Sequence, residues 1–320
     1  MEYRRLGKSG LKVSAIALGS WLTYGTVTEE RTAEACVHKA FELGINHFDC
    51  ANVYGAEPHA AERVLGRTLR EYPRESYVVT TKAFWPVGAG PNDRGLSRKH
   101  IIGEVEKSLT ALGVDYVDIF YCHRFDPETD LEETLRAIDD LITQGKILYA
   151  GFSEWSPVQI ADGVRLQKEL GLHRFVASQP LYNMLNRGIE AEVIPLCARE
   201  GIGQVVFSPL GQGVLTGKYR PGQQPPAGSR GATPEVQAFM RRYLQSEILQ
   251  KVEELAAVAR RYDLTLARMA LAWVLRLPEV SSALVGASRP EQVEENVKAA
   301  GVVLPEEALR EIDRILGAAG

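Results

Sequence analysis

Eight short apolar runs of β type recur along this chain, each separated from the next by enough residues for a crossing helix, and this alternation limits the fold more than any other feature. The runs are Ser14 to Leu18, Asn46 to Cys50, Tyr77 to Thr81, Tyr116 to Cys122, Ile147 to Phe152, Phe175 to Ser178, Gly203 to Phe207 and Ser282 to Val285. Glu29 to Leu43, Ala60 to Arg70, Arg98 to Leu112, Leu131 to Gln144, Val158 to Leu170 and Glu190 to Arg199 carry apolar residues every three or four positions, the spacing of amphipathic helices. Gly44, Gly113, Gly145, Gly171 and Gly201 follow helical segments, where a left-handed terminal residue is favoured, and Ser97 and Ser156-Pro157 open others. Strands joined by such crossovers close most simply as a (β/α)8 barrel of the α/β class. An open doubly wound sheet usually has fewer strands and a GxGxxG turn, and no GxGxxG occurs.

Three segments stand outside the repeat. YRRLGKSGLKVS predicts a β-hairpin around Lys8-Ser9-Gly10 that would plug the barrel bottom, and Pro305 to Leu316 predicts one extra amphipathic helix. Gly211 to Met240, rich in Gly and Pro, reads as a long structureless loop, a feature that is usually functional inside a compact domain. No low-complexity linker or compositional break divides the 320 residues, so a single barrel domain spanning 1–320 is expected.

The formal charge of −4 gives no field that would favour nucleic acid or an acidic membrane surface. Cys36, Cys50, Cys122 and Cys197 lie far apart without a CxxC pair, which points away from a disulfide framework and from a zinc ribbon and fits a reducing cytoplasm. The N-terminus lacks a secretory apolar segment and no run approaches the ~18 apolar residues of a membrane span, so no membrane insertion is expected.

Barrel enzymes set their catalytic groups at the C-terminal ends of strands. The second run leads into Asp49 with Tyr54 five residues on, and Lys82 and His123 stand directly after the third and fourth, so the four can converge on one mouth. A lysine beside a tyrosine is expected to stabilise the phenolate and lower its pKa; Asp49 would hold Lys82, and His123 would hydrogen-bond a carbonyl oxygen. Singly, each has a plainer reading: a strand-end ion pair, a loop aromatic, a capped core histidine. A metal site among His47, Asp49, Cys50, Cys122 and His123 is disfavoured because adjacent strand residues point to opposite faces. There is no GxSxG nucleophile signature.

With DCANVYG, the Lys of TTKAF, the His of FYCHR, GFSEW, SQPLYN, FSPLGQGVLTGKY and GASRPEQVEEN in order, the chain resembles the aldo-keto reductases over essentially its whole length. The likeness is greatest to the branch holding potassium-channel β-subunits and related bacterial reductases. It implies a catalytic tetrad of Asp49, Tyr54, Lys82 and His123, with NADPH/NADP+ as cofactor and a small-molecule carbonyl as substrate. It further implies that Ser153 and Gln179 grip the nicotinamide carboxamide, that Phe207 stacks on its ring where relatives have Tyr or Trp, and that Gly19, Ser20, Trp21 and Asp49 lie near it. Glu154 stands where relatives carry Asn or Arg.

Ser208, Pro209, Leu210, Gly211, Gln212 and Lys218 fall on the positions that cover the pyrophosphate, making the long loop a clasp, with Arg230 reaching the adenosine end. Gly286, Ser288, Arg289, Gln292, Glu295 and Asn296 match the adenosine segment, where Arg289 would meet the 2′-phosphate and favour NADPH. Trp21, Tyr24, Phe84 and Trp85 are expected to wall an open substrate pocket together with Tyr54 and His123, since only Gly317 to Gly320 follow Leu316 and no long flap is present. Two functions follow: reduction of aldehydes and ketones, or an NADP(H)-sensing regulatory subunit that binds a partner. The sequence leaves homo-oligomer formation open.

Overall fold

Strands form where β-branched and aromatic residues concentrate. Eight of them build the barrel: β3 (Ile16–Gly19), β4 (His47–Asp49), β5 (Val78–Ala83), β6 (Val117–Cys122), β7 (Ile147–Phe152), β8 (Phe175–Ser178), β9 (Gly203–Phe207) and β10 (Val280–Val285). All neighbours pair in parallel, and β10 bonds to both β9 and β3, so the ring has no edge. The (β/α)8 TIM barrel expected from the alternation is the one observed in this computed structural model, which describes residues 1–25, 28–233 and 239–317.

Around it lie α1 (Glu30–Glu42), α2 (Ala60–Leu69), α3 (Arg98–Leu112), α4 (Leu131–Thr143), α5 (Pro157–Glu169) and α6 (Val193–Glu200). Then come α7 (Ser246–Arg261), α8 (Leu266–Leu275), α9 (Pro290–Val297) and the extra C-terminal α10 (Glu306–Leu316), which packs on α7. The ends follow local chemistry. Ser97 Oγ accepts from the His100 N–H to start α3, Ser156 and Gln159 form a reciprocal capping box ahead of Pro157, and Gly113 and Gly201 end α3 and α6 in the left-handed region.

The hairpin is also present: β1 (Tyr3–Arg5) pairs antiparallel with β2 (Lys12–Ser14). It closes the bottom of the barrel because Leu6 and Val13 are buried against Ala17, Val78, Ile119, Val205 and Leu284. The Lys8 N–H donates to Gly201 O at 2.8 Å, and Arg4 Nη1 donates to the carbonyls of Leu275 and Val280, both at 2.8 Å.

Most boundaries shift by one to three residues, and three departures bear on the site. The third barrel strand continues through Lys82 to Ala83 because its ladder with β6 pairs Lys82 with Tyr121 and Ala83 with Cys122. The last strand begins at Val280, before a register shift against β9. The stretch from 211 to 240 is not structureless: it makes 3-10 turns at Gly211–Thr216 and Arg230–Ala232, while 234–238 lie outside the described residues.

Register turns His47 and Asp49, Val78, Thr80 and Lys82, and Ile119 and Tyr121 to the same inner face. Gly151 on β7 makes room for them: a Cβ there would lie 2.5 Å from Ala177 O and 2.6 Å from the Tyr121 ring. Neither neighbour can withdraw without breaking the ladder or the packing under the site. Gly151→Ala is therefore expected to destabilise the protein by roughly 1–3 kcal/mol, to be measured by denaturant unfolding; an unchanged midpoint would show that the barrel relaxes more easily than this packing implies.

Candidate active site

Backbone hydrogen bonds carry the ladder past the strand ends and fix the residues at the mouth. The Cys50 N–H donates to Thr80 O, that of Asn52 to Lys82 O, that of His123 to Ala83 O, that of Ser153 to Cys122 O and that of Gln179 to Phe152 O. Tyr54 sits in the loop leading to α2, pinned by bonds from its own N–H to Ala51 O and from the Ala61 N–H to its carbonyl.

Asp49, Tyr54, Lys82 and His123 come together there. Lys82 is fully buried, and its ammonium donates to Asp49 Oδ2 at 2.6 Å, Cys50 O at 2.7 Å and Tyr54 Oη at 3.3 Å, which uses all three of its hydrogens. Asp49 Oδ1 accepts from Thr80 Oγ1 at 2.7 Å and from Gln179 Nε2 at 2.9 Å. His123 Nε2 stands 3.5 Å from Tyr54 Oη, while its Nδ1 is buried with no partner among the described residues. Thr80, missed by strand-end reasoning, was detectable: two residues before Lys82, it shares the inner face.

The electrostatics differ from the sequence expectation at Tyr54. Burial, then the charge of Asp49, pushes its hydroxyl well above the ordinary tyrosine range, with Arg124 pulling the other way. The anticipated lowering by Lys82 does not prevail because burial of the hydroxyl dominates and Asp49, 2.6 Å from the ammonium, adds to it. Tyr54 thus holds its proton while accepting a hydrogen bond from Lys82. Burial, then Lys82 and Arg124, drives His123 well below the ordinary imidazole range, so its ring is neutral. Two neutral groups able to hydrogen-bond an oxygen flank one opening.

Aromatic rings wall that opening. Trp21 lies 6.5 Å from Tyr54, 6.1 Å from Phe207 and 5.3 Å from Phe239, centre to centre, and Trp85 lies 6.4 Å from His123. Phe84 is half-buried against the core and edge-on to Trp85. Tyr24 does not join them: only 1% exposed, it packs in the core behind β3 and β4, because the turn after β3 directs it inward. Gly19 ends β3, and Ser20 is turned into the protein, its hydroxyl donating to Asp49 O at 2.9 Å.

The residues expected to hold a dinucleotide fall into three groups. Ser153 and Gln179 are buried beside Asp49, joined by a bond of 2.8 Å from Ser153 Oγ to Gln179 O, and Phe207 ends β9 nearby. Glu154, at φ 59°, accepts from the Leu181 N–H. Beyond Pro209, Leu210 and Gly211, Gln212 bridges Ser208 Oγ at 2.7 Å and Arg230 Nη1 at 2.8 Å; Ser208 and Gln212 hold left-handed conformations at φ 53° and 58°. Such strain is characteristic of binding segments.

Lys218, Arg230 and Arg289 have no carboxylate partner among the described residues. Lys218 is exposed overall, yet burial of its ammonium and then the charges of Arg230 and Arg289 hold its pKa down. A side chain at Gly286 would come within 3.1 Å of Arg230 Nη2, so the segment after β9 lies against the end of β10. Uncompensated cations of this kind fit a polyphosphate. In the segment expected to meet adenosine, Gln292 Oε1 accepts from the Ser288 N–H at 2.8 Å, Arg289 precedes α9 and Asn296 is buried. Glu295 is engaged elsewhere, with Arg268, Thr265 and Lys298. No group of residues suited to a metal ion occurs among the described residues, and no helix of them is long and apolar enough to cross a membrane.

Behind the Tyr54 loop lies a second polar cluster. His59, at φ 64°, sets Nδ1 2.5 Å from Glu62 and Nε2 3.3 Å from Glu104; Asn52 donates to Glu104 at 2.7 Å and Thr81 donates to Glu62. Burial pulls the His59 imidazole down, but its bonds to Glu104 and Glu62 outweigh that and raise its pKa to about 9. Burial raises Glu104, yet His59, Lys107 and Asn52 bring it to about 2. The cluster ties the loop to α2, α3 and β5. In the outer groove between α2 and α3, Arg63 pairs with Glu57, Arg67 with Glu30 and Lys107 with Glu104, while Arg70 Nε donates to Gly66 O.

The sequence profile of the Aldo/keto reductase family matches residues 15–316. A protein of Arabidopsis thaliana named probable voltage-gated potassium channel subunit beta is 42% identical over 306 residues, covering 95% of this chain and 92% of its own. A putative voltage-gated potassium channel subunit beta of Schizosaccharomyces pombe is 42% identical over 99% of this chain and 93% of its own. L-glyceraldehyde 3-phosphate reductase of Escherichia coli is 39% identical over 93% and 87%.

The His59 cluster generates a pH prediction. A folded-state pKa of about 9 above the ordinary 6.5 means that the stability His59 contributes is full below the lower value and is lost as pH rises through the higher. The stability advantage of the wild type over His59→Gln, followed by thermal unfolding, should therefore shrink across that window. A constant advantage would overturn the charged-imidazole assignment.

Proposed function

The chain belongs to the aldo/keto reductase family, an oxidoreductase family of carbonyl reduction, and from that premise we propose that it reduces aldehydes and ketones with NADPH, Tyr54 giving the proton. The observation that carries this reading is that Tyr54 Oη accepts from Lys82 at 3.3 Å and stands 3.5 Å from His123 Nε2; with Nε2 carrying the imidazole proton, as a hydrogen bond from it to a substrate oxygen requires, the Tyr54 proton is left for that same oxygen. When bound, the nicotinamide supplies the hydride. Tyr54 donates to the carbonyl oxygen as negative charge builds there, and the bond from Lys82 stabilises the phenolate left behind. Asp49 keeps Lys82 charged and in place. Neutral His123 hydrogen-bonds the same oxygen and orients the carbonyl.

Ser153 and Gln179 would hold the carboxamide and Phe207 the ring face, with Lys218 and Arg230 on the phosphates. Arg289, exposed and without an acidic partner among the described residues, would take the 2′-phosphate and favour NADPH over NADH. We read residues 1–320 as one domain acting in the cytoplasm. Relatives named as channel subunits suggest a regulatory alternative; the buried, fully bonded Lys82 beside Tyr54 favours catalysis.

Tyr54→Phe should lower turnover of 4-nitrobenzaldehyde by about 10²–10⁴-fold while NADPH binding persists by fluorescence titration. Unchanged turnover would sink the role of Tyr54. Arg289→Gln should cut the NADPH-to-NADH preference in kcat/KM by roughly tenfold or more, read from nucleotide absorbance. An equal preference before and after would remove Arg289 from that role.

A further inference from the structure

Immediately after His123 comes Arg124, a cation that neither the tetrad nor the helical shell uses. Its Nη1 donates to His123 O at 2.5 Å and to Ser153 Oγ at 3.4 Å, and its guanidinium carbon lies 5.5 Å from the centre of the Trp85 ring. Among the described residues it has no carboxylate partner, and Nε and Nη2 donate to nothing. Asp126, two residues on, accepts from the Leu96 and Glu128 N–H groups and from Thr129, and Glu154, beside Ser153, accepts from the Leu181 N–H. Trp85, 41% exposed, holds the guanidinium at the rim beside His123. Its charge is felt by both Tyr54 and His123, which puts it close to where a carbonyl would react.

A planar guanidinium with an unused Nε/Nη2 edge is the geometry that takes an oxyanion through two parallel hydrogen bonds. Resting on the carbonyl-reductase reading, we propose that Arg124 is a specificity residue that selects small aldehydes carrying a carboxylate or phosphate a short chain away from the carbonyl. A neutral aldehyde leaves that edge to water. An anionic one satisfies it and is turned with its carbonyl toward Tyr54 and His123.

The test compares wild type, Arg124→Met and Arg124→Lys on two matched pairs: succinic semialdehyde against its methyl ester, and glycolaldehyde phosphate against glycolaldehyde. In Arg124→Met the anion-to-neutral ratio of kcat/KM should fall about tenfold or more for at least one pair, chiefly through KM, with Arg124→Lys intermediate. The pair that responds identifies the anion. Ratios within about twofold of wild type for both pairs in both variants would overturn the proposal, as would a loss confined to NADPH affinity. Absence of turnover with both members of each pair in the wild type would instead overturn the carbonyl-reductase reading, and the role of Arg124 with it.

Discussion

One buried ion pair sets the terms for everything at the mouth of this barrel. Lys82 and Asp49 are 0% and 3% exposed, and a charge so far from water persists only when it is paired and its remaining hydrogen-bonding capacity is filled. Here that condition draws on β4 and β5 for the charges, the carbonyl of Cys50, Thr80 from the same inner face and Gln179 from the end of β8. These groups meet only because the ring is closed, so the electrostatics of the site and the topology of the fold are one requirement. The pair also adds to what burial does to its neighbours: Asp49 helps to keep Tyr54 protonated and Lys82 helps to keep His123 neutral, a combination suited to giving hydrogen bonds to a developing oxyanion.

The legible part of the molecule was the part governed by period and position. Apolar runs of β type marked all eight strands, glycines and serines marked helix ends, and the polar residue at the end of a run was enough to assemble Asp49, Lys82 and His123. Depth and third-party distance were not legible. Tyr24 and Trp21 stand three residues apart after the same strand, yet one is core and the other lines the opening. The direction of the Tyr54 shift depends first on how deeply its hydroxyl is buried and then on its distance from Asp49, neither of which spacing encodes. Glu62 and Glu104 sit on helices whose pattern reads as ordinary amphipathic, and only the fold brings His59 between them.

Stability and chemistry occupy opposite ends of the barrel. The bottom is filled by apolar side chains of the hairpin, whereas the top is assembled from loops whose residues include left-handed Glu154, Ser208 and Gln212. Phe239, at the far end of the long segment after β9, meets Trp21 at the end of β3 and joins the two sides of the opening. Arg124 and Trp85 stand on the remaining side.

The seam between β3 and β10 has a consequence for how the molecule is made. Ile16 pairs with Ala283, and the Ser282 hydroxyl reaches Ser14 O, so the first strand of the ring gains its second neighbour only from the last. Arg4 likewise requires the carbonyls of Leu275 and Val280. As the chain emerges from the ribosome, the edge of β3 stays open and the hairpin has no floor to rest on until most of the polypeptide has been synthesised. Closure is therefore a late, cooperative event of high contact order, and truncation at the C-terminal side of β9 removes the means of shutting the ring.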